Sequence, residues 1–439
     1  MALFSNYVTG APATLTRVYF MTNAPFKVIA ASGDVIKEDG AAYDQWEVDF
    51  RSESDLVELR DAARNIVYTS KTPFRVVPQA RAGTVLLKSG QFAELTGFDR
   101  GDRELRGVVE IRPTPQGFKA VNEVPLEDYL YGAVGAAMPE GSPSEAYKAQ
   151  AVVSRSLALW YKAQKAANME DSDLCDSAHC QAYVGVNEEM REASKAVAAT
   201  EGVVLTTKDG RLARAMETEH CGGFTESGAA TGDASLAGLV SVADGPGGAP
   251  PSTPLQLERF THEFPAQDRF CELQTVTSPA SSRWIRLLDV KELEQRAARQ
   301  KNVGTIKRIY AARRSATGRV QVLMVEGSRG QLELDGADAI ADFLSPGTLR
   351  STLFTIQPIL GASGPVRFLV FGAGTGSGLG MCRAGAIGQA ASGRKYSEIL
   401  KVYFPNYGLE SPRDKPRVAE KPRHRRPLNP HYKKPPTTR

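Results

Sequence analysis

The 439-residue chain is 42% hydrophobic and 24% charged, which is the composition of a globular protein long enough for two or more domains. Its net charge of +4 is uneven, because residues 411–439 hold ten Lys/Arg against two Asp/Glu and the rest sums to −4. No apolar run approaches the ~20 residues of a membrane-spanning helix. The N-terminus lacks the basic start and apolar stretch of a signal peptide. Five cysteines do not suggest a disulfide framework.

Residues 1–103 are predicted to form a β-rich N-terminal region. Short apolar stretches separated by glycines and charges are typical of strands, and they continue to about residue 120. These stretches are FKVIAAS, WEVDF, FRVVP, GTVLLKSG and RGVVEIRP. We therefore expect an α+β fold, with β-rich segments around a helical core that carries a cleft.

Two helices are predicted after these strands. The first covers 142–168, where Ser142 can cap the helix and Glu145 can complete a capping box. The second covers 187–200 and has Asn187 as its expected N-cap.

The rest of the chain mixes strands, helices and loops. Seven prolines and the ten basic residues predict a disordered tail at 411–439. The other predicted elements are, in chain order, strands at 202–207 and 211–217, a surface loop at 229–255, an inserted mixed α/β segment at about 256–350, and a last helix at 395–404.

The loop DLCDSAHCQAY (173–183) joins the two helices and places Cys175, His179 and Cys180 within six residues. These ligand types suit zinc, although the spacing is not that of a zinc finger. A disulfide, two buried thiols or a Cys-His nucleophilic pair are the alternatives. The sequence leaves these readings open.

From VNEVPLEDYLYGAV onward the chain resembles the SpoIID/LytB family, the stage II sporulation protein D and amidase-enhancer proteins of bacterial cell walls. The resemblance continues through MPEGSPSEAYKAQAVVSRSLAL, DLCDSAHCQAY, AVAATEGVVL and CGGFTESG, and resumes in GSGLGMCRAGAIGQAASG and YSEILKVYFPNY. It implies one SpoIID/LytB-like domain over 104–410, interrupted by the inserted segment.

The resemblance implies a peptidoglycan substrate and a lytic transglycosylase reaction. In that reaction one carboxylic acid protonates the glycosidic oxygen. The same group then takes the proton of the muramyl 6-hydroxyl, which closes a 1,6-anhydro ring. The family's strands are first stripped of their stem peptides by amidases.

The sequence departs from the family where that acid should stand. The family carries Glu immediately before the Met-Pro pair, whereas the run YGAVGAAMPEG has Ala137 there. A methyl group has no proton to give. Glu140 lies three residues on and is the possible substitute acid, although a displaced acid loses its proton path.

A second departure lies in the glycine-rich run. The family shows Gly-His-Gly followed by Gln, and this chain has Gly376-Ser377-Gly378 followed by Arg383. A dinucleotide-binding reading of GAGTGSG is rejected, because no βαβ unit with a following acidic residue is visible. The glycines are expected to allow close approach of the backbone to sugar or to another strand.

By the resemblance, the helix after the cleft motif and the Cys/His loop line or support the glycan site. The expected substrate-binding residues are Lys148, Gln150, Arg155, Gln181, Tyr183 and Ser377. Some relatives bind zinc at the loop, so we expect one structural zinc on Cys175, His179, Cys180 and Cys221, with His220, Asp173 or Asp176 as other candidates for the fourth ligand.

These features predict a glycan-strand binding protein of the cell envelope, catalytically impaired by Ala137. The alternative is an active lytic transglycosylase that cleaves denuded peptidoglycan. An N-acetylmuramoyl-alanine amidase is the expected protein partner. The basic tail is expected to contact anionic polymers or a membrane surface.

Overall fold

The computed structural model describes residues 1, 3, 12–92, 101–164, 172–177, 179–263, 268–273 and 278–411. The predicted disordered tail lies outside the described residues apart from residue 411, and so do residues 165–168 of the first predicted helix. In the part of the chain that is described, no helix is long and apolar enough to cross a membrane.

The first eleven strands form one sheet. They are β1 (Leu15–Thr22), β2 (Phe26–Ala30), β3 (Val35–Gly40), β4 (Trp46–Arg51), β5 (Leu56–Arg60), β6 (Ile66–Ser70), β7 (Phe74–Pro78), β8 (Thr84–Phe92), β9 (Arg103–Arg106), β10 (Val108–Thr114) and β11 (Gly117–Glu123). The strand order is β3-β2-β7-β10-β11-β1-β4-β5-β6, and β8 pairs with both β1 and β9. Val18, Phe20 and Thr22 alternate toward the core, as period-two side chains of a half-buried strand do.

This sheet corrects the predicted boundary at residue 103. Strand β10 pairs with β7 (Val109 opposite Val76) and with β11, so the sheet ends at Glu123. The apolar stretches predicted strands to about residue 120, close to the observed end of the sheet, whereas the family motifs placed the start of the SpoIID/LytB-like domain at 104, inside the sheet.

The helical region follows. Its elements up to the insertion are α1 (Leu126–Ala137), α2 (Ser144–Gln164), α3 (Arg191–Ala199), β12 (Val204–Thr206), β13 (Glu217–Thr218), α4 (Pro254–His262) and α5 (Pro279–Ser282), with 3-10 turns at Val186–Glu188, Gly228–Thr231, Ala234–Leu236 and Phe270–Glu272. The two predicted helices are confirmed. The continuous strand predicted at 211–217 is wrong, because the pairing there is limited to an isolated bridge of Leu212 with Thr206 and to the short strand Glu217–Thr218.

The predicted helix caps are also corrected, because each side chain has a different partner. Ser142 Oγ donates to the carbonyl of Pro139 at 2.7 Å, and α2 begins at Ser144. The Glu145 carboxylate accepts from Lys148 and from the backbone N–H of Tyr396. Asn187 lies in a 3-10 turn, and α3 begins after Met190.

The inserted segment forms a lobe with its own core. Its elements are β14 (Arg283–Asp289), α6 (Val290–Gln300), β15 (Ile306–Arg314), β16 (Val320–Gly327), β17 (Gly330–Asp335), α7 (Ala337–Leu344), β18 (Phe354–Gly361) and β19 (Gly364–Ala373). They make two three-stranded sheets, β14-β19-β18 and β15-β16-β17. All of β14 pairs with residues 367–373 of β19, so the lobe runs to Ala373 rather than to about 350.

The chain then returns to the helical region through β20 (Met381–Cys382), α8 (Arg383–Ala391), α9 (Tyr396–Tyr403) and β21 (Gly408–Glu410). Strand β20 pairs in parallel with β13, and β21 pairs with β12. Residues before and after the insertion thus share one core, with Val152, Ala215 and Ile399 among its buried side chains. The predicted α+β class is confirmed.

Candidate functional site

The C-terminal end of α1 carries the position at which the resemblance expects an acid. Helix α1 ends at Ala137 because Met138 is extended (φ −115°, ψ 135°), and a residue before proline avoids the helical conformation. Glycines let α1 pack closely on the next turn, since a Cβ on Gly135 would lie 1.7 Å from the carbonyl oxygen of Glu188. Ala137 is half-buried at this fixed end.

Arg383, the first residue of α8, occupies the space beside Ala137. Its Nη1 donates a short hydrogen bond to the Ala137 carbonyl oxygen. Its Nε is buried and has no hydrogen-bond partner among the described residues. A guanidinium, not a carboxyl group, is therefore the charged group in contact with residue 137.

Two carboxylates, Glu140 and Glu217, could replace the missing acid. Glu140 is exposed and lies in a turn after Pro139, outside the helix. Glu217, which sequence reasoning missed, is half-buried on β13, and its Oε2 has no partner among the described residues. Burial raises the pKa of Tyr129 well above its ordinary value, and the charge of Glu217 contributes to that rise.

Arg155 is enclosed by protein. Its guanidinium is fully buried and forms two hydrogen bonds to the Glu127 carboxylate, at 2.8 and 2.7 Å. It also donates to the carbonyl oxygens of Val197 and Val203. Arg155 therefore clamps α1, α2 and the segment before β12, which corrects the expectation that it contacts substrate directly.

The predicted glutamines belong to a buried polar network. Gln150 is fully buried and donates to Ser154 Oγ at 3.0 Å. Gln181 accepts from Tyr129 Oη at 2.8 Å and donates to the Ser154 carbonyl. Tyr183 is 1% exposed and packs against the Tyr129 ring, with centroids 5.0 Å apart. These side chains support the helices rather than line an open surface.

Lys148 and Ser377 are the more accessible predicted residues. Lys148 is half-buried and pairs with Glu145 one turn away. Ser377 is exposed at the tip of the glycine-rich loop. A Cβ on Gly378, whose φ is +81°, would lie 2.4 Å from the Arg319 guanidinium. At this glycine the close approach is to the protein's own lobe.

A cavity of about 460 Å³ lies at the other end of α1. Its lining residues are Arg81, Gly107, Pro125, Glu127, Asp128, Tyr131, Ala198 and Glu201. This set combines an aromatic ring with carboxylates and a guanidinium. Such a combination can bind sugar rings and hydroxyls.

The Cys/His loop brings together three of its four predicted ligands. Cys175 and Cys180 form a disulfide, with Cα atoms 5.7 Å apart. His179 Nδ1 lies 3.8 and 3.7 Å from their sulfur atoms. Among the described residues no fourth metal-ligating group joins these three. Two disulfide sulfurs and one imidazole do not fit a closed zinc site, so the loop takes the disulfide alternative.

Cys221, the predicted fourth ligand, lies in a different cluster. We call Cys221, Asp244, Cys271 and Cys382 the buried cysteine cluster. Sequence reasoning missed the last two cysteines and Asp244, because 50 and 111 residues separate the three cysteines in turn. The only sign of this cluster in the sequence was that three cysteines lie outside the Cys/His loop. The cluster has donor types that could bind a metal.

All four groups of the buried cysteine cluster have shifted pKa values, and burial raises the pKa of the Cys221 and Cys271 thiols well above its ordinary value. Burial raises the pKa of Asp244 to about 7. Burial alone would also raise the pKa of the Cys382 thiol, but hydrogen bonds involving Cys221 and Cys271 lower it well below its ordinary value. The Cys382 sulfur is thus held in surroundings that favour a thiolate.

Comparison with known families identifies the helical region. Residues 114–207 match the family described as Stage II sporulation protein (SpoIID). This region of the chain is therefore similar to the SpoIID family. The matched span contains α1 to α3, the Cys/His loop and Ala137, and it places the protein in a cell-wall related, lytic transglycosylase-like family. The family expectation from the sequence motifs is confirmed.

The inserted lobe matches a second family. Residues 270–380 correspond to a Domain of unknown function (DUF8618), which begins just before Cys271 and ends just before β20. An uncharacterized protein of Brachyspira hyodysenteriae is 27% identical over 317 residues, which are 71% of this chain and 74% of that protein. The similarity to that protein thus extends well beyond the SpoIID match.

Proposed function

We propose that this SpoIID-like protein binds peptidoglycan glycan strands in the cell envelope without cleaving them. The observation that carries the proposal is the contact between Ala137 and Arg383. At the position of the family's acid there is a methyl group, and beside it stands a permanent cation. Neither group can donate and then retrieve a proton near neutral pH.

Arg383 also affects any acid restored at position 137. A cation within hydrogen-bond distance lowers the pKa of a carboxyl group, which keeps it ionised and unable to protonate a leaving group. The negative end of α1 acts in the opposite direction and raises that pKa. To restore proton transfer, removing the Arg383 cation is therefore as important as introducing a carboxyl group at position 137.

The cavity at the start of α1 is the proposed contact surface for the glycan. Tyr131 supplies an aromatic face, and Asp128 and Glu201 supply acceptors for sugar hydroxyls. The cavity lies on the same helix as Ala137. A strand bound there and running along α1, a helix about 18 Å long, would bring other sugar units to Ala137.

The second candidate function is an active lytic transglycosylase, and one observation favours it. Glu217 is a half-buried carboxylate with a free oxygen on β13, which pairs with the strand that leads into Arg383. If the protein cleaves glycan, this carboxylate replaces the family's acid. The exposed Glu140 is the other carboxylate to compare.

The test combines strand binding with product analysis. Amidase-treated glycan strands are sedimented with the wild-type chain, and the supernatant is analysed by mass spectrometry for 1,6-anhydromuramyl ends. We expect co-sedimentation without such ends. Tyr131→Ala should weaken sedimentation several-fold, whereas Tyr310→Ala in the inserted lobe is the matched control. If the wild type cuts, Glu217→Gln and Glu140→Gln identify the acid.

An extracytoplasmic location and an amidase partner follow from this proposal. Denuded strands are the product of amidases, so a protein that holds such strands works after an amidase or beside one. The basic residues 412–439 would add attraction to anionic wall polymers or lipid head groups. Removing residues 412–439 should weaken binding to anionic polymers and leave sedimentation with neutral glycan unchanged.

A further inference from the structure

Four side chains from distant segments meet in the buried cysteine cluster. Cys221 follows β13, Asp244 lies in the long loop, Cys271 lies in a 3-10 turn, and Cys382 is the N-cap of α8. Each of the four is at most 1% exposed. Their ligand atoms all lie within 4.8 Å of one another.

The separations suit a tetrahedral ion. Zinc bonds of about 2.3 Å to sulfur and about 2.0–2.2 Å to oxygen place two sulfurs about 3.8 Å apart, and a sulfur and an oxygen about 3.5 Å apart. The Cys221 and Cys271 sulfurs are 4.0 Å apart. Cys221 Sγ is 3.5 Å from Asp244 Oδ2. Small shifts would thus bring these groups to zinc-binding distances.

The sulfur atoms accept hydrogen bonds from the backbone. Cys382 Sγ accepts from the N–H groups of Cys221 at 3.2 Å and Gly385 at 3.4 Å. Cys221 Sγ accepts from the N–H of Gly223 at 3.4 Å. Backbone donors aimed at sulfur stabilise negative charge on it, as the outer shell of a metal site does.

Asp244 is oriented by a second outer contact. Tyr403 Oη donates to Oδ1 at 2.6 Å, which leaves Oδ2 as the oxygen nearer the Cys221 sulfur. Only glycine fits at position 385, since a Cβ there would lie 2.1 Å from Tyr403 Oη and 2.3 Å from Asp244 Oδ1. The helix that carries Cys382 is therefore shaped around this carboxylate.

His220 supports the cluster without being a ligand. Its Nδ1 accepts from the N–H of Gly222 at 3.1 Å, so Nε2 carries the proton and donates to the Cys271 carbonyl at 3.0 Å. Both ring nitrogens are thereby engaged. This geometry corrects the expectation that His220 might be the fourth ligand.

A buried cation stands beside the cluster. Arg319 is 3% exposed and donates to the Cys221 carbonyl at 2.8 Å. Its Nε and Nη1 have no hydrogen-bond partner among the described residues; burial lowers the pKa of Arg319, and the charge of the Glu226 carboxylate partly offsets that effect. A buried guanidinium is costly unless negative charge lies near it. A zinc ion bound by three thiolates and one carboxylate carries a net charge of −2, which a nearby guanidinium offsets.

We propose that the buried cysteine cluster binds one zinc ion as a closed structural site. Thiolates are soft ligands that select zinc over magnesium or calcium, and four protein ligands leave no open position for catalysis. The protons that the thiols and the Asp244 carboxyl still hold leave as the ion binds. Because Cys221, Cys271 and Cys382 share one core and come from segments before and after the inserted lobe, the ion ties together the two parts of the chain that flank the lobe.

The test measures bound metal in the full chain. The protein is expressed with added zinc, purified under mild chelation, and analysed by inductively coupled plasma mass spectrometry. We expect about one zinc per chain in the wild type and at least a tenfold loss in Cys271→Ser. The matched control is the Cys175→Ser/Cys180→Ser double variant, which removes the other cysteines and should retain the metal.

X-ray absorption at the zinc edge of the wild type covers the case in which Cys271→Ser does not fold. Three sulfur neighbours and one oxygen neighbour support the proposal. In the metal analysis, the proposal is overturned if the wild type binds no zinc, if the control variant loses zinc, or if Cys271→Ser retains zinc. In the X-ray absorption experiment, it is overturned if a histidine nitrogen is among the atoms that coordinate the zinc. Glycan binding plays no part in these outcomes, so they are independent of the proposed function.

Discussion

The end of α1 and the buried cysteine cluster differ in how many ionisable side chains they contain and in how exposed these are. At the end of α1, half-exposed Ala137 has no ionisable side chain. In the cluster, four ionisable side chains lie together with almost no exposure. Cys382 and Arg383 are consecutive, so the start of α8 supplies one residue to the cluster and the next residue to the contact with Ala137. The two regions thus show that reactive residue types in a sequence can belong to the protein core rather than to the position at which the family motif expects an acid.

Breaking the cluster should have the largest effect on stability. Cys382→Ala removes a proposed zinc ligand and the N-cap acceptor of α8. We expect the free energy of unfolding to fall by about 3 kcal/mol or more, since a lost cap alone costs about 1 kcal/mol. Urea unfolding followed by tryptophan fluorescence measures this. A loss below 1 kcal/mol would show that the cluster does not hold the fold.

Removing Arg155 should have the next largest effect. Arg155→Met leaves Glu127 and the carbonyls of Val197 and Val203 without their donor. We expect a loss of about 3 kcal/mol, as for one broken partner of a buried ion pair. Lys148→Met, which removes a half-exposed pair, should change stability by less than about 0.5 kcal/mol. Equal effects of the two variants would contradict the structural role of Arg155.

Reducing the disulfide should have a smaller effect. The bond closes a short loop, for which chain entropy predicts a contribution of about 2 kcal/mol. Cys175→Ser and a reductant on the wild type should lower the urea midpoint to the same extent, and a reductant should not affect the variant. If the reductant destabilises the variant too, other cysteines form bonds in solution.

Local patterns predicted more of the fold than of the site. Helices α2 and α9 follow from the local sequence pattern, and the local Cys/His loop was recognised from spacing. The place of β10 in the large sheet depends on β7, a partner strand more than 30 residues away. The buried cysteine cluster depends on contacts across 161 residues, between Cys221 and Cys382. No local signal reports such contacts, so the cluster could not be placed from the sequence.

The central claim is that cleavage is lost because residue 137 is a methyl group beside the Arg383 cation. The most direct measurement compares 1,6-anhydromuramyl products from denuded strands for the wild type, Ala137→Glu and Ala137→Glu/Arg383→Gln. We predict no product from the wild type, little from the single variant and at least tenfold more from the double variant. Product from the wild type, at a level that Ala137→Glu does not raise, would contradict the account.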